Sequence, residues 1–142
     1  MAHSDQNLAS TQSIENKQKI KGGLTSWREC LVKKMILERL NESIEVTELA
    51  TACSLTRSHF SRAFKRTTGV SPQAWIRQQR ISKAKQLIQE TRLSLTQISF
   101  DCGFSDQAHF CTTFTRNEGV TPLAWRRHSI HVAPSSRTLH AR

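Results

Sequence analysis

The chain has 142 residues, of which 23% are charged and 37% hydrophobic, and this balance is typical of a globular protein and not of a disordered one. Lysine and arginine number 21 against 11 aspartates and glutamates, a formal net charge of +10 that attracts polyanions, chiefly nucleic acid or an acidic membrane surface. No apolar run approaches the length of a membrane span, and the first 24 residues lack the apolar region of a signal peptide.

The N-terminal part of the chain is polar and closes on Gly22 and Gly23, which predicts a mobile tail over residues 1–24. A helix is expected to begin near residue 25. Its apolar stripe recurs at near-helical spacing and consists of Trp27, Leu31, Met35 and Leu40.

A helix-turn-helix pattern follows. Thr47 is expected to cap a short helix over residues 48–53, and Thr56 to cap a second helix over residues 57–67. Gly69 suits the left-handed end of the second helix. Because Phe60, Ala63 and Phe64 share its apolar face, a second set of side chains points outward, and such a helix can enter the major groove of DNA. That outward set is Arg57, Ser58, Ser61, Arg62 and Lys65.

A long helix without glycine or proline is predicted from Pro72, with Ser71 as its cap, to about residue 90. The sequence around it is strongly basic, because residues 56–92 contain nine lysines and arginines against Glu90 alone. This imbalance predicts an electrostatic footprint for a polyanion. The nine are Arg57, Arg62, Lys65, Arg66, Arg77, Arg80, Lys83, Lys85 and Arg92.

The helix-turn-helix pattern then occurs a second time. Thr96 is expected to cap a helix over residues 97–102, the next helix spans residues 106–117, and a final helix runs from residue 122 to about residue 128. From position 59 onward the two copies align at a constant offset of 50 residues, and upstream of the turn the offset is 49. The pairs include His59/His109, Phe60/Phe110, Phe64/Phe114, Gly69/Gly119, Pro72/Pro122 and Trp75/Trp125.

The outward face of the second copy has no lysine or arginine before Arg116. Arg62 of the first copy can bond guanine bidentately, whereas Gln107 suits adenine and Thr112 suits a phosphate or a thymine methyl group. We therefore predict that the first copy supplies the stronger contact with DNA, and that the second copy makes a weaker contact that modifies the interaction. The outward face of the second copy is Asp106, Gln107, Ala108, Cys111, Thr112 and Thr115.

The two units and the linker helix, and above all the stretch GFSDQAHFCTTFTRNEGVTPLAWRR (residues 103–127), resemble the AraC/XylS family of bacterial transcription regulators over about residues 27–128. The resemblance implies an all-α DNA-binding domain of about seven helices, with two recognition helices in successive major grooves. Many relatives carry arginine where this chain has Thr112. Carried over by position, the base-reading residues are Ser58, Ser61 and Arg62 in the first copy and Gln107, Ala108, Cys111 and Thr112 in the second.

Further DNA contacts are predicted around these positions. Both histidines of the repeat are expected near the DNA backbone or at a helix edge. The arginines that flank the helices beginning at Pro72 and Pro122 are expected to contact phosphates. The additional contacts are His59 and Arg66 in the first recognition helix, His109 and Arg116 in the second, and the phosphate contacts Arg77, Arg80 and Arg127.

The predicted organisation is a tail over 1–24, a first subdomain over 25–71, a linker helix over 72–92, a second subdomain over 93–128 and a C-terminal tail over 129–142. Most members of the family carry a large effector-binding and dimerisation domain, whereas about 25 residues precede the DNA-binding part here. The resemblance implies either a stand-alone monomeric activator or a fragment of a larger regulator. Its partners would be double-stranded promoter DNA and RNA polymerase, in the bacterial nucleoid.

Other chemistry has less support. The four cysteines lie inside helical patterns without a signal peptide, which predicts reduced thiols in the cytoplasm, with Cys53 and Cys102 in a core. Their spacing matches no tight zinc-ligand pair, and the sequence has no phosphate-binding glycine loop, nucleophile elbow or clustered acidic pair. Neither an enzyme nor a cofactor is predicted. The alternatives left open are a non-specific nucleic-acid binder, with single-strand stacking as a weaker variant, and a module that acts through contacts with polymerase.

Overall fold

The computed structural model describes residues 21–132, which form seven α-helices and no β-strand, so the all-α prediction is confirmed. Within these residues no helix is both long enough and apolar enough to cross a membrane. The helices are α1 (Ser26–Glu38), α2 (Val46–Ala52), α3 (Arg57–Thr68), α4 (Pro72–Glu90), α5 (Leu95–Asp101), α6 (Gln107–Glu118) and α7 (Pro122–Val132).

The described chain divides into two compact units. Unit 1 comprises residues 21–39 and Ile44–Trp75, and unit 2 comprises Leu40–Ser43 and residues 76–132. The boundary falls inside α4, so each unit contains one helix-turn-helix: α2 and α3 in unit 1, and α5 and α6 in unit 2. Most of the predicted tails, residues 1–20 and 133–142, lies outside the described residues.

The core of unit 1 is built around the inner face of α3. Phe60 and Phe64 are completely buried with their ring centroids 5.7 Å apart, and Trp75 meets Phe64 edge-on at 6.0 Å. Such tilted and edge-on arrangements suit the quadrupoles of aromatic rings. The inward face that the sequence predicts for this helix is therefore confirmed.

The apolar stripe predicted for α1 is wrong at its first member. Trp27 is 63% exposed, and the buried positions of this part of unit 1 are Leu24, Val32 and Ile36. Two neighbouring rows of α1 both carry apolar residues, and the spacing that defines a row does not decide which row meets the core. Leu24 also lies within the predicted tail, yet it is 3% exposed and its amide donates to Thr67 Oγ1 at 2.7 Å.

The core of unit 2 repeats that of unit 1. Phe110 and Phe114 are completely buried with their centroids 5.7 Å apart, and Trp125 meets Phe114 edge-on at 6.2 Å. These rings pack with a cluster from α4, α5 and the turn that follows α5, which consists of Ile81, Ala84, Ile88, Ile98, Cys102 and Phe104. The offset of 50 residues in the sequence is thus a repeat in packing.

The ends of the two recognition helices follow the sequence signals. Thr56 Oγ1 accepts from His59 N at 3.1 Å at the start of α3, and Asp106 Oδ1 accepts from His109 N at 2.7 Å at the start of α6. Gly69 ends α3 in the left-handed conformation, with a φ of 87°. Because Asp106 is the cap of α6, this helix begins one residue later than predicted.

The caps predicted for the two shorter helices are wrong. Helix α2 begins at Val46, so Thr47 lies inside it, and no side chain caps its first turn. In α5 the cap is Ser94, whose hydroxyl accepts from Gln97 N at 3.1 Å, and Thr96 is helical. Ser94 and Thr96 both lie near the start of α5, and each satisfies the local rule for a cap. The cap position of α2 is Glu45, a residue type that this rule does not favour. The final helix also continues to residue 132, beyond its predicted end near residue 128.

The turns between the paired helices use a left-handed residue at the same place in each unit. Ser54 has a φ of 58° and Gly103 has a φ of 88°. An added Cβ on Gly103 would lie 2.1 Å from the carbonyl oxygen of Leu40, a distance that no side chain tolerates. Glycine is required at this turn of unit 2 by a close backbone approach, and not only by its φ angle.

Candidate nucleic-acid interface

The outer face of α3 carries a concentrated positive charge. Arg57, Arg62 and Lys65 are exposed, and none of them has a hydrogen-bond or ion-pair partner among residues 21–132. The helix contains no acidic residue. Because the opposite face is fixed by two buried phenylalanines, these side chains project from a rigid support. Ser58 is also exposed on this face, and Ser61 is half-buried.

The C-terminal end of α3 contacts the chain segment that precedes α1. Arg66 Nη1 donates to the carbonyl of Lys21 at 3.3 Å, and its side chain packs against Gly22. The next residue, Thr67, accepts from the amide of Leu24. Arg66, predicted as a DNA contact, is thus partly engaged within unit 1, although it remains exposed.

The outer face of α6 is less basic. Gln107, Ala108 and Thr112 are exposed, while Cys111 is half-buried. The side-chain oxygen of Gln107 accepts from the hydroxyl of Thr96 in α5, so its amide is already oriented. Asp106 adds a negative charge at the start of the helix. The imbalance between the two helices that the sequence suggests is therefore present in the folded side chains.

The long basic stretch of the sequence is only partly an exposed surface. Arg80 donates from Nε to Leu40 O at 3.1 Å and from Nη2 to Glu42 O at 2.8 Å, and burial lowers the pKa of its guanidinium. Because two of its donors hold the backbone of residues 40–43, Arg80 has a structural role inside unit 2. Two donors of this predicted phosphate contact are thus already engaged.

Two lysines of the same stretch are also engaged in unit 2. Lys83 Nζ donates to the carbonyl of Asp101 at 2.9 Å. Lys85 Nζ lies 2.9 Å from a carboxylate oxygen of Glu118 and 4.9 Å from the centroid of the Trp125 ring. No local pattern in the sequence signals these contacts, because the partners are distant along the chain.

The other two predicted phosphate contacts, Arg77 and Arg127, are exposed. Arg77 lines a cavity of about 290 Å³ in unit 2, together with His109, Thr113, Arg116 and Asn117. The sequence identified the two arginines and the histidine as DNA contacts separately. It did not indicate that they meet, and it missed Thr113 and Asn117.

The thiols and histidines fall into distinct environments. Burial raises the pKa of the Cys53 thiol, and it raises that of Cys102 to about 11, so both remain protonated at neutral pH. The prediction that these two cysteines lie in the core is confirmed. Cys30 and both repeat histidines, His59 and His109, are exposed. Within residues 21–132 no group of three or more His, Cys, Asp or Glu side chains is placed to hold a metal ion.

Comparisons with known proteins match this arrangement. A family model described as a helix-turn-helix domain matches residues 49–128. The probable transcriptional regulator LumQ of Photobacterium leiognathi is 34% identical over 116 residues, which cover 75% of this chain and 46% of LumQ. The chain spans less than half of the length of the curated relatives that it matches.

Solved structures show the same fold. The DNA-binding domain of AdpA, a global transcriptional factor crystallised with a target DNA, has a TM-score of 0.71 at 30% identity, covering 74% of this chain and 95% of that domain. An AraC-type regulator from Chromobacterium violaceum has a TM-score of 0.65 at 28% identity, covering 69% of this chain and 88% of the other.

Proposed function

Since the chain belongs to the AraC family of helix-turn-helix transcription regulators, we propose that it binds double-stranded DNA sequence-specifically, with α3 and α6 in successive major grooves. The observation that carries this proposal is the outer face of α3. Three cations project from a helix without acidic residues, and its inner face is anchored by buried aromatic rings. This combination provides both a charge for the phosphates and side chains that can reach base edges.

The residues of α3 have different proposed roles. Arg62 lies in the middle of the outer face and reads a guanine, with Ser58 and Ser61 beside it as further base contacts. A second group at the margins of the helix contacts the phosphate backbone. That group consists of Arg57, His59, Lys65 and Arg66.

In α6 the proposed base contacts are polar and uncharged. Gln107 reads adenine, and its hydrogen bond from Thr96 fixes the orientation of the amide before DNA arrives. Ala108, Cys111 and Thr112 contribute smaller contacts, while His109 and Arg116 lie beside the backbone. Arg77 and Arg127 are retained as phosphate contacts, and Arg80 is left out because its guanidinium is engaged within unit 2.

We further propose that the chain acts as a monomer. One chain supplies two reading helices, the number that a helix-turn-helix dimer supplies to its two half-sites. Such a regulator would work in the bacterial nucleoid and activate transcription through contacts with RNA polymerase. Sedimentation of the protein bound to its DNA site tests the monomer, since a dimer would appear as two chains on one site.

The proposal is tested by comparing Arg62→Ala with the wild type on selected and random DNA. Sites are first selected from a random pool, and binding is then measured in competition across salt concentrations. Arg62→Ala should lose about 1–3 kcal/mol on the selected site and relax the preference at one base pair. Lys34→Ala, which removes one exposed charge from α1 of the same unit, is the matched control.

Other results would decide against parts of this proposal. Equal losses on selected and random DNA would make Arg62 a phosphate contact. A wild type that prefers no sequence would be a non-specific binder. Binding to polymerase that needs no DNA and survives Arg62→Ala would favour the protein-contact alternative. The double variant Gln107→Ala with Thr112→Ala should lose less than Arg62→Ala alone, and a larger loss would reverse the proposed division between the two helices.

A further inference from the structure

Unit 2 contains a cationic feature apart from its uncharged reading face. The cavity of about 290 Å³ is lined by two arginines from different helices, Arg77 of α4 and Arg116 of α6. We propose that this cavity is a binding cleft for a phosphate group, and that the backbone of bound DNA supplies the phosphate. The identity of this source rests on the proposed function, whereas the chemistry of the cleft does not.

The lining has the donors that a phosphate requires. Guanidinium groups present a planar fork of N–H donors that fits phosphate oxygens bidentately. Thr113, which is 8% exposed as a residue, adds a hydroxyl that has no hydrogen-bond partner among residues 21–132. Asn117 adds a side-chain amide, whose Nδ2 donates to a carboxylate oxygen of Glu118 at 2.6 Å. No carboxylate lines the cavity. The only charges on its walls are therefore cationic.

The histidine of the cleft is held in place by packing. The ring of His109 meets the buried ring of Phe104 edge-on, with the centroids 5.6 Å apart. Asp106, the cap of α6, accepts from the amide of His109, and Glu118 at the end of the helix pairs with Lys85 and accepts from Asn117 Nδ2. An arriving phosphate thus meets two arginines and a histidine ring held by packing, and it competes with Glu118 for the Asn117 amide.

The corresponding positions of unit 1 serve another purpose. Arg66 and Thr67 are the counterparts of Arg116 and Asn117 at the offset of 50 residues, and they bond to the carbonyl of Lys21 and the amide of Leu24. Ala63 stands where unit 2 has Thr113, so that hydroxyl is missing as well. In unit 1 these side chains are thus bonded to the segment that precedes α1. In unit 2 Arg116 and Asn117 line the cavity, and the Asn117 amide donates to Glu118.

The cleft explains how a weakly charged reading helix stays on DNA. A phosphate contact fixes the position of a protein on the duplex and carries no base information. It also releases condensed counterions, which makes the slope of log K against log salt steeper by about 0.9 per phosphate. Unit 2 would then be held by its cleft and would read bases with uncharged side chains.

The test compares Arg77→Gln and Arg116→Gln with Lys34→Gln, which removes an exposed charge outside the cleft and outside residues 56–92. Each cleft variant should weaken binding about tenfold and equally on selected and random DNA, and should make the salt slope shallower by about one. Lys34→Gln should leave the affinity and the salt slope nearly unchanged. Comparable losses in Lys34→Gln would overturn the proposal, because they would reflect net charge alone.

A second measurement uses inorganic phosphate and no DNA. Adding inorganic phosphate stepwise to the wild-type protein should shift the NMR signals of the His109 ring and of the Asn117 side-chain amide. Arg77→Gln should abolish these shifts. Shifts without any effect of the variants on DNA would assign the cleft to a free anion. If neither phosphate nor DNA responds to the variants, the cleft is refuted while selective DNA binding stands. If the wild type selects no DNA site, the phosphate titration still decides the cleft.

Discussion

The two units share an aromatic frame, a buried phenylalanine with a tryptophan packed against it, but they differ in the residues of their outer faces. Phe64 and Trp75 repeat in unit 2 as Phe114 and Trp125, with ring distances of 6.0 and 6.2 Å. On the outside, the offset of 50 residues replaces every cation of the α3 reading face: Arg57 by Gln107, Arg62 by Thr112 and Lys65 by Thr115. The inner positions of a helix-turn-helix are constrained by close packing, whereas the outer ones can change without cost to the fold.

The contacts around the frame also differ in their partners. A lysine lies over the indole in each unit, Lys33 at 5.6 Å from the Trp75 ring and Lys85 at 4.9 Å from the Trp125 ring. Lys33 pairs with a glutamate of its own helix, whereas Lys85 pairs with Glu118 of the recognition helix α6. The same cation–π contact thus tethers the recognition helix only in unit 2.

The largest expected effect tests whether the frames are equivalent. Phe64→Ala and Phe114→Ala should each lower the free energy of unfolding by about 3–5 kcal/mol, because both rings are completely buried. Calorimetry and chemical unfolding measure these losses. Phe100→Ala, at a 51% exposed position, is the control and should change stability by less than about 0.5 kcal/mol. A difference of more than about 2 kcal/mol between the two core variants would show that the repeat in packing is not a repeat in energy.

A smaller effect concerns a feature that only unit 2 has. Arg80→Ala should lower the free energy of unfolding by about 2 kcal/mol, because the carbonyls of Leu40 and Glu42 lose a charged donor. Arg80→Lys keeps the charge but lacks the fork that reaches both carbonyls, so it should recover only part of the loss. Binding to random DNA across salt concentrations is the second readout. A salt slope made shallower by about one, with unchanged stability, would assign Arg80 a phosphate contact.

The sequence predicts those features whose signals are local. Thr56 and Gly69 bracket α3 because capping and left-handed termination depend on residues within a turn. The inward set of Phe60 and Phe64 follows from helical spacing alone. The same rules misplace Trp27, since they identify an apolar row without saying which of two adjacent rows meets the core.

Features that join distant segments are not predictable in this way. The bonds of Arg80 to Leu40 and Glu42 span 40 and 38 residues, and they engage two donors of a side chain that the sequence predicts as a phosphate contact. The cleft is a similar case, because Arg77 and Arg116 lie on different helices and their meeting depends on the packing of unit 2. Composition gives the number of charges, and only the fold shows which of them remain available.

The smallest expected effect concerns the caps, where the two recognition helices differ by one charge. Thr56 and Asp106 make the same hydrogen bond to the amide three residues on. Exchanging them, as Asp106→Thr and Thr56→Asp, should therefore change the free energy of unfolding by less than about 1 kcal/mol each.

DNA binding by these two variants should respond in opposite directions, because a carboxylate at a helix start that faces DNA repels phosphate. We expect Asp106→Thr to strengthen and Thr56→Asp to weaken the affinity for random DNA, each by a few-fold at low salt and less at high salt. Asp106→Asn, which keeps a cap and removes the charge, separates the two causes: an affinity gain equal to that of Asp106→Thr assigns the effect to charge, and no gain in either variant would mean that this end of α6 lies away from the DNA backbone.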